Sequence, residues 1–325
     1  MHYLGIEIGG TKLQLGVGPG DGTLAGLWRG TVDPGAGGDG IRRQITAAVP
    51  ELLARSGVER SQLKGVGIGF GGPVDDATRT VITSHQIKGW DGFPLADWIG
   101  EIAGLPTALG NDADVAGLAE ALFGAGKGMS PIFYITIGSG IGGGLIINGE
   151  TYRGCGRGAA EIGHLLLLVD ENDRAEETYE YRTVESVASG WAIEQRARRF
   201  ARLNAHHDLM LLRLAGGQVD SITARDVGQA VQQGDRIARA LLEMPQVYLA
   251  DAICHVISLL CPRRFVIGGG VSLMGEKVLF EPLRKLVAER VFAPFAGCYD
   301  IVPAALGEEV VVYGALALAR RRSGG

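Results

Sequence analysis

The sequence predicts an α/β protein of two domains, and three observations carry that prediction. The chain has 325 residues, too many for one compact core and enough for two domains that each bury a sizeable interior. Two glycine-rich turns, one in each half and about 130 residues apart, share one grammar of apolar strand, glycine turn with a hydroxyl, apolar strand. That repetition points to a duplicated fold with a cleft between its halves. Residues 3–112 read as three strands, helix, strand, helix, strand, the order of an α/β domain with a mixed sheet.

Residues 3–17 and 24–32 read as successive strands, with Pro19-Gly20-Asp21-Gly22 as a turn. Within the first stretch, Glu7-Ile8-Gly9-Gly10-Thr11-Lys12 is a tight turn between apolar runs 3–6 and 13–17, so its flanks pair as antiparallel strands. Paired glycines let the backbone approach a ligand, and the Thr11 hydroxyl and Lys12 ammonium add donors facing the same way. Such a turn suits a phosphate tail; an ordinary glycine hairpin with a solvated lysine uses the same residues. The second turn, Gly138-Ser139-Gly140-Ile141-Gly142-Gly143-Gly144, lies within residues 133–148. Neither turn fits the Walker pattern or the strand-to-helix dinucleotide fingerprint, because a strand follows each.

Gly35-Ala36-Gly37-Gly38 is a flexible loop, after which Ile41, Ile45, Val49, Leu52 and Leu53 give residues 41–56 a helical spacing. Residues 65–70 form a short apolar strand running into Gly71-Gly72-Pro73-Val74. A loop over 83–93 containing Gly89-Trp90, a short helix over 94–103 and a strand over 107–109 lead into Gly110-Asn111-Asp112. A helix starts at Asn111-Asp112, follows Val115, Leu118, Ala119, Leu122 and Phe123, and stops at Gly124. Both starting residues are common helix caps. A carboxylate at a strand end, in the crevice between two domains, is also well placed to accept a proton from a substrate hydroxyl.

In the second half, residues 152–158 form a loop. Glu161 and His164 lie three apart around a glycine, so both can turn toward one polar ligand, although a lone histidine more often serves structure. Glu185 leads into a helix over 191–203, where a first-turn acid is stabilised by the helix dipole. The charged run 170–182 reads as an exposed loop, and the adjacent His206 and His207 as surface residues. Residues 223–234 and 235–260 read as helices, the second long and apolar enough for the core. Residues 264–272 are a buried strand ending in Gly268-Gly269-Gly270 before a helix, a place where a flat ring such as adenine can approach the backbone. A helix over 281–291, a short strand over 300–304 and a terminal helix over 307–322, whose Arg320 to Arg322 suit its C-terminal end, complete the chain.

Composition narrows the function classes. Apolar content of 46% and charged content of 21% are those of a globular protein, and a net charge of −5 gives no broad field attractive to nucleic acid. The chain opens directly on a strand without a leader, and no uninterrupted apolar run approaches membrane length, so a cytoplasmic location without membrane attachment is expected. Cys155, Cys254, Cys261 and Cys298 stand far apart with no CxxC pair and read as free thiols.

Glu7-Ile8-Gly9-Gly10-Thr11-Lys12, Gly71-Gly72-Pro73-Val74, Gly89-Trp90, Asn111-Asp112, the Gly138 to Gly144 turn, Glu161-Ile162-Gly163-His164, Glu185 and Gly268-Gly269-Gly270 occur in the order and spacing of the ROK family (repressors, open reading frames and sugar kinases). The chain resembles that family over nearly its whole length, including the closing segment 306–318. The resemblance implies a two-domain actin/hexokinase-like (ribonuclease H-like) ATPase fold with an interdomain cleft, residues 1–112 with 305–325 forming the N-terminal domain and 113–304 the C-terminal domain. It also implies transfer of the γ-phosphate of ATP to a hexose hydroxyl, typically that on carbon six of a glucose-like sugar. Asn111, Asp112, Glu161, His164 and Glu185 would bind the sugar, with Asp112 as general base. Gly9, Gly10, Thr11, Lys12, Gly138, Ser139 and Gly140 would hold the ATP phosphates, and Gly268, Gly269 and Gly270 would lie near adenosine. The implied cofactors are ATP and magnesium, the implied partners a sugar and a second copy of the chain.

Departures from the family pattern set further expectations. Glu7 stands where the family carries Asp, one methylene longer and in indirect contact with magnesium, a change expected to tune activity down. ROK kinases commonly bind zinc through a CxCGxxGC run after the ExGH histidine; residues 165–182 contain no cysteine, so no zinc site is expected. His85-Gln86 replaces the usual Pro-Asn before Gly89-Trp90, which bears on the sugar accepted. The repressor branch adds an N-terminal helix-turn-helix, whereas Met1 leads straight into a strand, so no DNA binding through that module is expected. Glu7 and the missing cysteines also define an alternative: a sugar-binding sensor with lost or vestigial catalysis.

Overall fold

The computed structural model describes every residue except 76, 85, 171–178, 205–207 and 325, so the expectations for His85, for His206 and His207, and for the middle of the charged run lie outside the described residues. In chain order the strands and helices are β1 (His2–Ile8), β2 (Lys12–Gly18), β3 (Gly26–Thr31), α1 (Gly37–Ser56), β4 (Leu63–Phe70), β5 (Val74–Asp75), β6 (Thr80–Val81), α2 (Leu95–Ala103), β7 (Thr107–Asn111), α3 (Asp112–Phe123), β8 (Ile132–Ile137), β9 (Ile141–Ile147) and β10 (Glu150–Thr151). They continue as β11 (Leu166–Asp170), β12 (Tyr179–Thr183), α4 (Val184–Ala188), α5 (Gly190–Leu203), α6 (Met210–Leu214), α7 (Ala224–Gln232), α8 (Arg236–Leu260), β13 (Arg264–Gly268), α9 (Glu281–Arg290), β14 (Asp300–Pro303) and α10 (Val310–Arg322). Two compact units result: residues 1–134, 144–160 and 304–325, and residues 135–143 with 161–303.

The first unit is built on a mixed sheet of order β3-β2-β1-β4-β7. β1 pairs antiparallel with β2 and parallel with β4, and β4 pairs parallel with β7. Strand periodicity sends Leu4, Ile6 and Ile8 into one core with Ile41, Ile45 and Leu52 of α1 and Ile99 of α2. Tyr3 points the other way and packs with Val312, Leu316 and Ala319 of α10. Glycines let α10 approach closely. A Cβ on Gly5 would lie 2.9 Å from the Val312 carbonyl, and Cβ atoms on Gly67 and Gly314 would collide with the carbonyls of Ala315 and Val115. α3 packs against α10 and falls in the first unit.

The second five-stranded sheet has the order β10-β9-β8-β13-β14, with β13 and β14 parallel. In the second unit α8 is flanked by α4, α7 and α9. α8 has 25 residues and by length and composition alone is apolar enough to cross a membrane, although Arg236, Arg239, Glu243 and Asp251 interrupt it and no uninterrupted apolar run of that length occurs. Its Leu241, Leu242, Leu249, Ile253 and Ile257 are buried inside the unit, the pattern of a core helix. The run 170–182 differs from the exposed loop expected of it. Its described end, 179–182, belongs to β12, which pairs antiparallel with β11 and sets Leu168 opposite Tyr181. Leu167 and Val169 are buried while Leu166 and Leu168 are exposed, a two-residue period that the neighbouring charges obscure.

Candidate active site

In the first unit the β1–β2 turn closes with the Gly9 N–H donating to the Lys12 carbonyl at 3.0 Å. The Gly71 N–H donates to the Ile8 carbonyl at 2.8 Å, bringing the end of β4 against the same turn. Asn111 caps α3: its Oδ1 accepts from the Ala113 N–H at 2.9 Å, and its Nδ2 donates to the Gly72 carbonyl at 3.0 Å. Asp112 Oδ1 accepts from the Ala113 N–H at 2.8 Å. A Cβ built on Gly71 would stand 3.4 Å from Asp112 Oδ2 and 3.6 Å from the Gly9 Cα, so the Asp112 carboxylate and the first glycine of the turn both border Gly71. The Gln86 side chain covers Gly10, where a Cβ would overlap its Oε1, and Thr11 is exposed.

Lys12 is part-exposed and also paired within the first unit. Its Nζ lies 3.0 Å from Glu7 Oε1 and donates to the Glu308 carbonyl at 3.2 Å. Gln14, opposite Glu7 in the β1–β2 register, donates to the same carbonyl at 3.1 Å. Glu7 is only 5% exposed, and burial pushes its carboxyl pKa up to about 7 against the downward pull of Lys12, with Asp112 and Glu309 adding to the rise. Glu7 Oε2 and Gln14 Oε1 are buried and have no hydrogen-bond partner among the described residues. An orphaned carboxylate oxygen electrostatically coupled to a second acid fits magnesium, which keeps several waters and takes one or two carboxylates plus substrate phosphates. No group of three or more His, Cys, Asp or Glu residues able to hold a metal occurs among the described residues.

In the second unit, one glycine turn gathers the other candidates. The Gly138 N–H donates to the Gly140 carbonyl at 2.9 Å, and the Gly138 carbonyl accepts from the Gly190 N–H at 2.8 Å, at the start of α5. Glu185 Oε2 accepts from the Ile141 N–H at 2.8 Å and presses on Gly140, where a Cβ would collide with it. Glu185 therefore serves as more than a helix-terminus acid. Residues Ile162–His164 form a 3-10 turn with Glu161 at its N-cap, and three residues per turn place Glu161 and His164 on one side. Gly163 is needed there because a Cβ would collide with the Ile141 carbonyl. Gly269 has φ +84°, a left-handed conformation that favours glycine, and its Cβ would lie 2.6 Å from the Ile137 carbonyl.

The candidates thus form two clusters, one per unit: Glu7, Gly9, Gly10, Lys12, Asn111 and Asp112, and then Gly138 to Gly140, Glu161, His164, Glu185 and Gly268 to Gly270. Sequence reasoning missed Gln14, Glu308 and Ile141, and singled out Gln86 without its contact over Gly10. Gln14 left a signal, a polar residue inside the apolar run of β2; Ile141 left none, because its contribution is backbone.

The ROK family model matches residues 3–322. The glucokinase of Thermotoga maritima is 33% identical, the match covering 100% of this chain and 99% of that protein. The glucokinase of Streptomyces coelicolor is also 33% identical, over 98% of this chain and 97% of that protein. The crystal structure of a ROK family glucokinase from Streptomyces griseus, in complex with glucose and AMPPNP, has 31% identity and a TM-score of 0.81, covering 99% of this chain and 100% of that one. A ROK hexokinase from Thermus thermophilus has 27% identity and a TM-score of 0.75 over 98% of both chains. With a family model and full-length relatives matching from end to end, the chain has the actin/hexokinase-like α/β fold and belongs to the ROK family.

Proposed function

We propose that this protein is an ATP-dependent kinase that phosphorylates the 6-hydroxyl of glucose, with Asp112 as general base. The observation that carries the reading is that Gly71 has the Asp112 carboxylate on one flank and the first glycine of the turn on another, a Cβ there standing 3.4 Å from Asp112 Oδ2 and 3.6 Å from the Gly9 Cα. A base and a phosphate-binding turn in one neighbourhood are what phosphoryl transfer from a nucleotide to a hydroxyl requires. The full-length likeness to glucokinases, one of them holding glucose and AMPPNP, supports glucose and ATP as the substrates.

In this reading Asn111, Glu161, His164 and Glu185 hold the sugar. The amides and side chains of Gly9, Gly10, Thr11 and Lys12, with Gly138, Ser139 and Gly140, face the phosphates, and Gly268, Gly269 and Gly270 lie near adenosine. The sugar oxygen bonds to the γ-phosphorus as the bond to the bridging oxygen of ADP breaks, and the hydroxyl proton passes to Asp112. Backbone amides aimed at the transferred group stabilise its developing charge. Magnesium, when bound near Glu7 and Asp112, neutralises phosphate charge. Each domain would supply one cluster, the N-terminal domain carrying the base. The family likeness extends the reading to a homodimer in the cytoplasm.

The test is ADP release from magnesium-ATP across glucose, mannose, fructose, glucosamine, N-acetylglucosamine, N-acetylmannosamine and allose, with glucose expected to stimulate most strongly. Silence across the panel with sugar binding still visible by thermal shift would instead establish a sensor. Asp112→Asn lowers turnover by about a hundredfold to ten-thousandfold while sugar affinity by calorimetry changes little. Unchanged turnover removes Asp112 from the base role.

A further inference from the structure

The first unit contains a second cavity, of about 550 Å³, that the proposed reaction does not use. Its volume is that of a small-ligand site. Four arginines line it, Arg79, Arg153, Arg321 and Arg322, against two acids, Asp114 and Glu150. On a chain whose net charge is −5, this is a local excess of positive charge. One wall is Thr107 to Gly110 of β7, the last strand of its sheet.

Three of the four arginines are held in place by partners. Arg153 pairs at 3.1 Å with Asp114, whose side chain is 4% exposed. Arg79 Nε lies 2.7 Å from Asp97, and Arg321 Nη1 donates to the Gly149 carbonyl at 2.8 Å while pairing with Glu150 at 3.0 Å. A guanidinium has five N–H donors, so Arg79 and Arg321 keep nitrogens beyond those in these bonds, and Arg322 has no partner among the described residues. Planar guanidinium forks lining one cavity, three of them held by partners, match the oxygens of a phosphate, which such forks bind bidentately. Leu118 and Leu318 supply an apolar flank for the body of such a molecule.

We propose that this cavity binds a small phosphorylated metabolite. It lies against the first turn of α3, where Asp114 follows Asp112 by two residues, so its occupant touches the segment that carries the proposed base.

Calorimetric titration of pyrophosphate tests the site, on the wild-type chain with saturating AMPPNP and on Arg79→Ala and Arg322→Ala. The expected result is one binding event per chain that persists with AMPPNP present and weakens at least tenfold in each arginine variant. Both variants alter partly exposed side chains, and circular dichroism confirms that they fold. Pyrophosphate binding that disappears when AMPPNP is added, binding of equal strength in the variants, or no binding at millimolar concentration overturns the proposal.

Discussion

Glu185 Oε2 accepts the Ile141 N–H at 2.8 Å, so an acid from the first turn of α4 clasps the glycine turn of β8 and β9. The charge-assisted bond fixes the strand whose carbonyl packs on Gly163, between Glu161 and His164. One side chain thereby sets the positions of several candidate sugar contacts. Glu185→Ala removes a bond of about 1.5–3 kcal/mol, an expected rise in the KM for glucose of about tenfold to a hundredfold, with the KM for ATP changing less. Steady-state kinetics in both substrates check this. Equal rises in both constants would mean that Glu185 supports the turn as a whole and not the sugar side.

Glu7 predicts a stability profile. Its carboxyl titrates near pH 7 in the folded protein against an ordinary value of 4.5, so between these values the folded state binds more protons than the unfolded state. Stability therefore falls as pH rises through this window and levels off above pH 7, a loss of about 3 kcal/mol. Glu7→Gln keeps the shape without the titration. Urea unfolding at pH 5, 6, 7 and 8 should show the variant gaining on wild type as pH rises, and parallel curves would refute the burial account. Glu7→Asp should not reduce turnover; a large loss would assign Glu7 a task that the shorter acid cannot perform.

The two glycine turns, the Asn111 cap and the mixed first sheet were legible because each is written locally, in strand periodicity, turn glycines and a capping residue. What escaped is non-local. Gly163 and Glu185 both meet Ile141, but no spacing in the chain links a backbone amide at 141 with a carboxylate at 185. The fate of Lys12 was hidden for the same reason, since its second partner is a carbonyl 296 positions away. The packing of α3 on α10 is non-local in the same way, since Gly314 is what lets α10 come against the Val115 carbonyl. Charge content misled at 179–182, where strand pairing overrides it.

Gly163→Ala tests the close approach directly. The added methyl meets the Ile141 carbonyl, and the 3-10 turn must shift, carrying Glu161 and His164 with it. The expected cost is about 1–3 kcal/mol in stability together with weakened glucose binding. Thermal unfolding and glucose calorimetry report the two effects separately. Glucose affinity equal to wild type would detach Glu161 and His164 from the sugar.

Glu120 joins fold to site in the first unit. It is fully buried on α3; Oε1 accepts the N–H groups of Ala305 and Leu306, both at 2.9 Å, and Oε2 accepts that of Ala125 at 2.7 Å. Residues 305 and 306 lead directly into the turn whose Glu308 carbonyl receives Lys12 and Gln14, so this carboxylate anchors the far end of the network beneath the first glycine turn. Glu120→Ala leaves three part-buried hydrogen bonds to a carboxylate unmade, an expected loss of about 3 kcal/mol in urea unfolding. Glu120→Gln retains a carbonyl for two of them but sets an amide NH2 against the Ala125 N–H, and its loss should be smaller, about 1–3 kcal/mol. If the anchor reaches the nucleotide side, the Gln variant also raises the KM for ATP while leaving that for glucose nearly unchanged. A stability loss with both constants unaltered would confine Glu120 to holding α3 and the segment before α10.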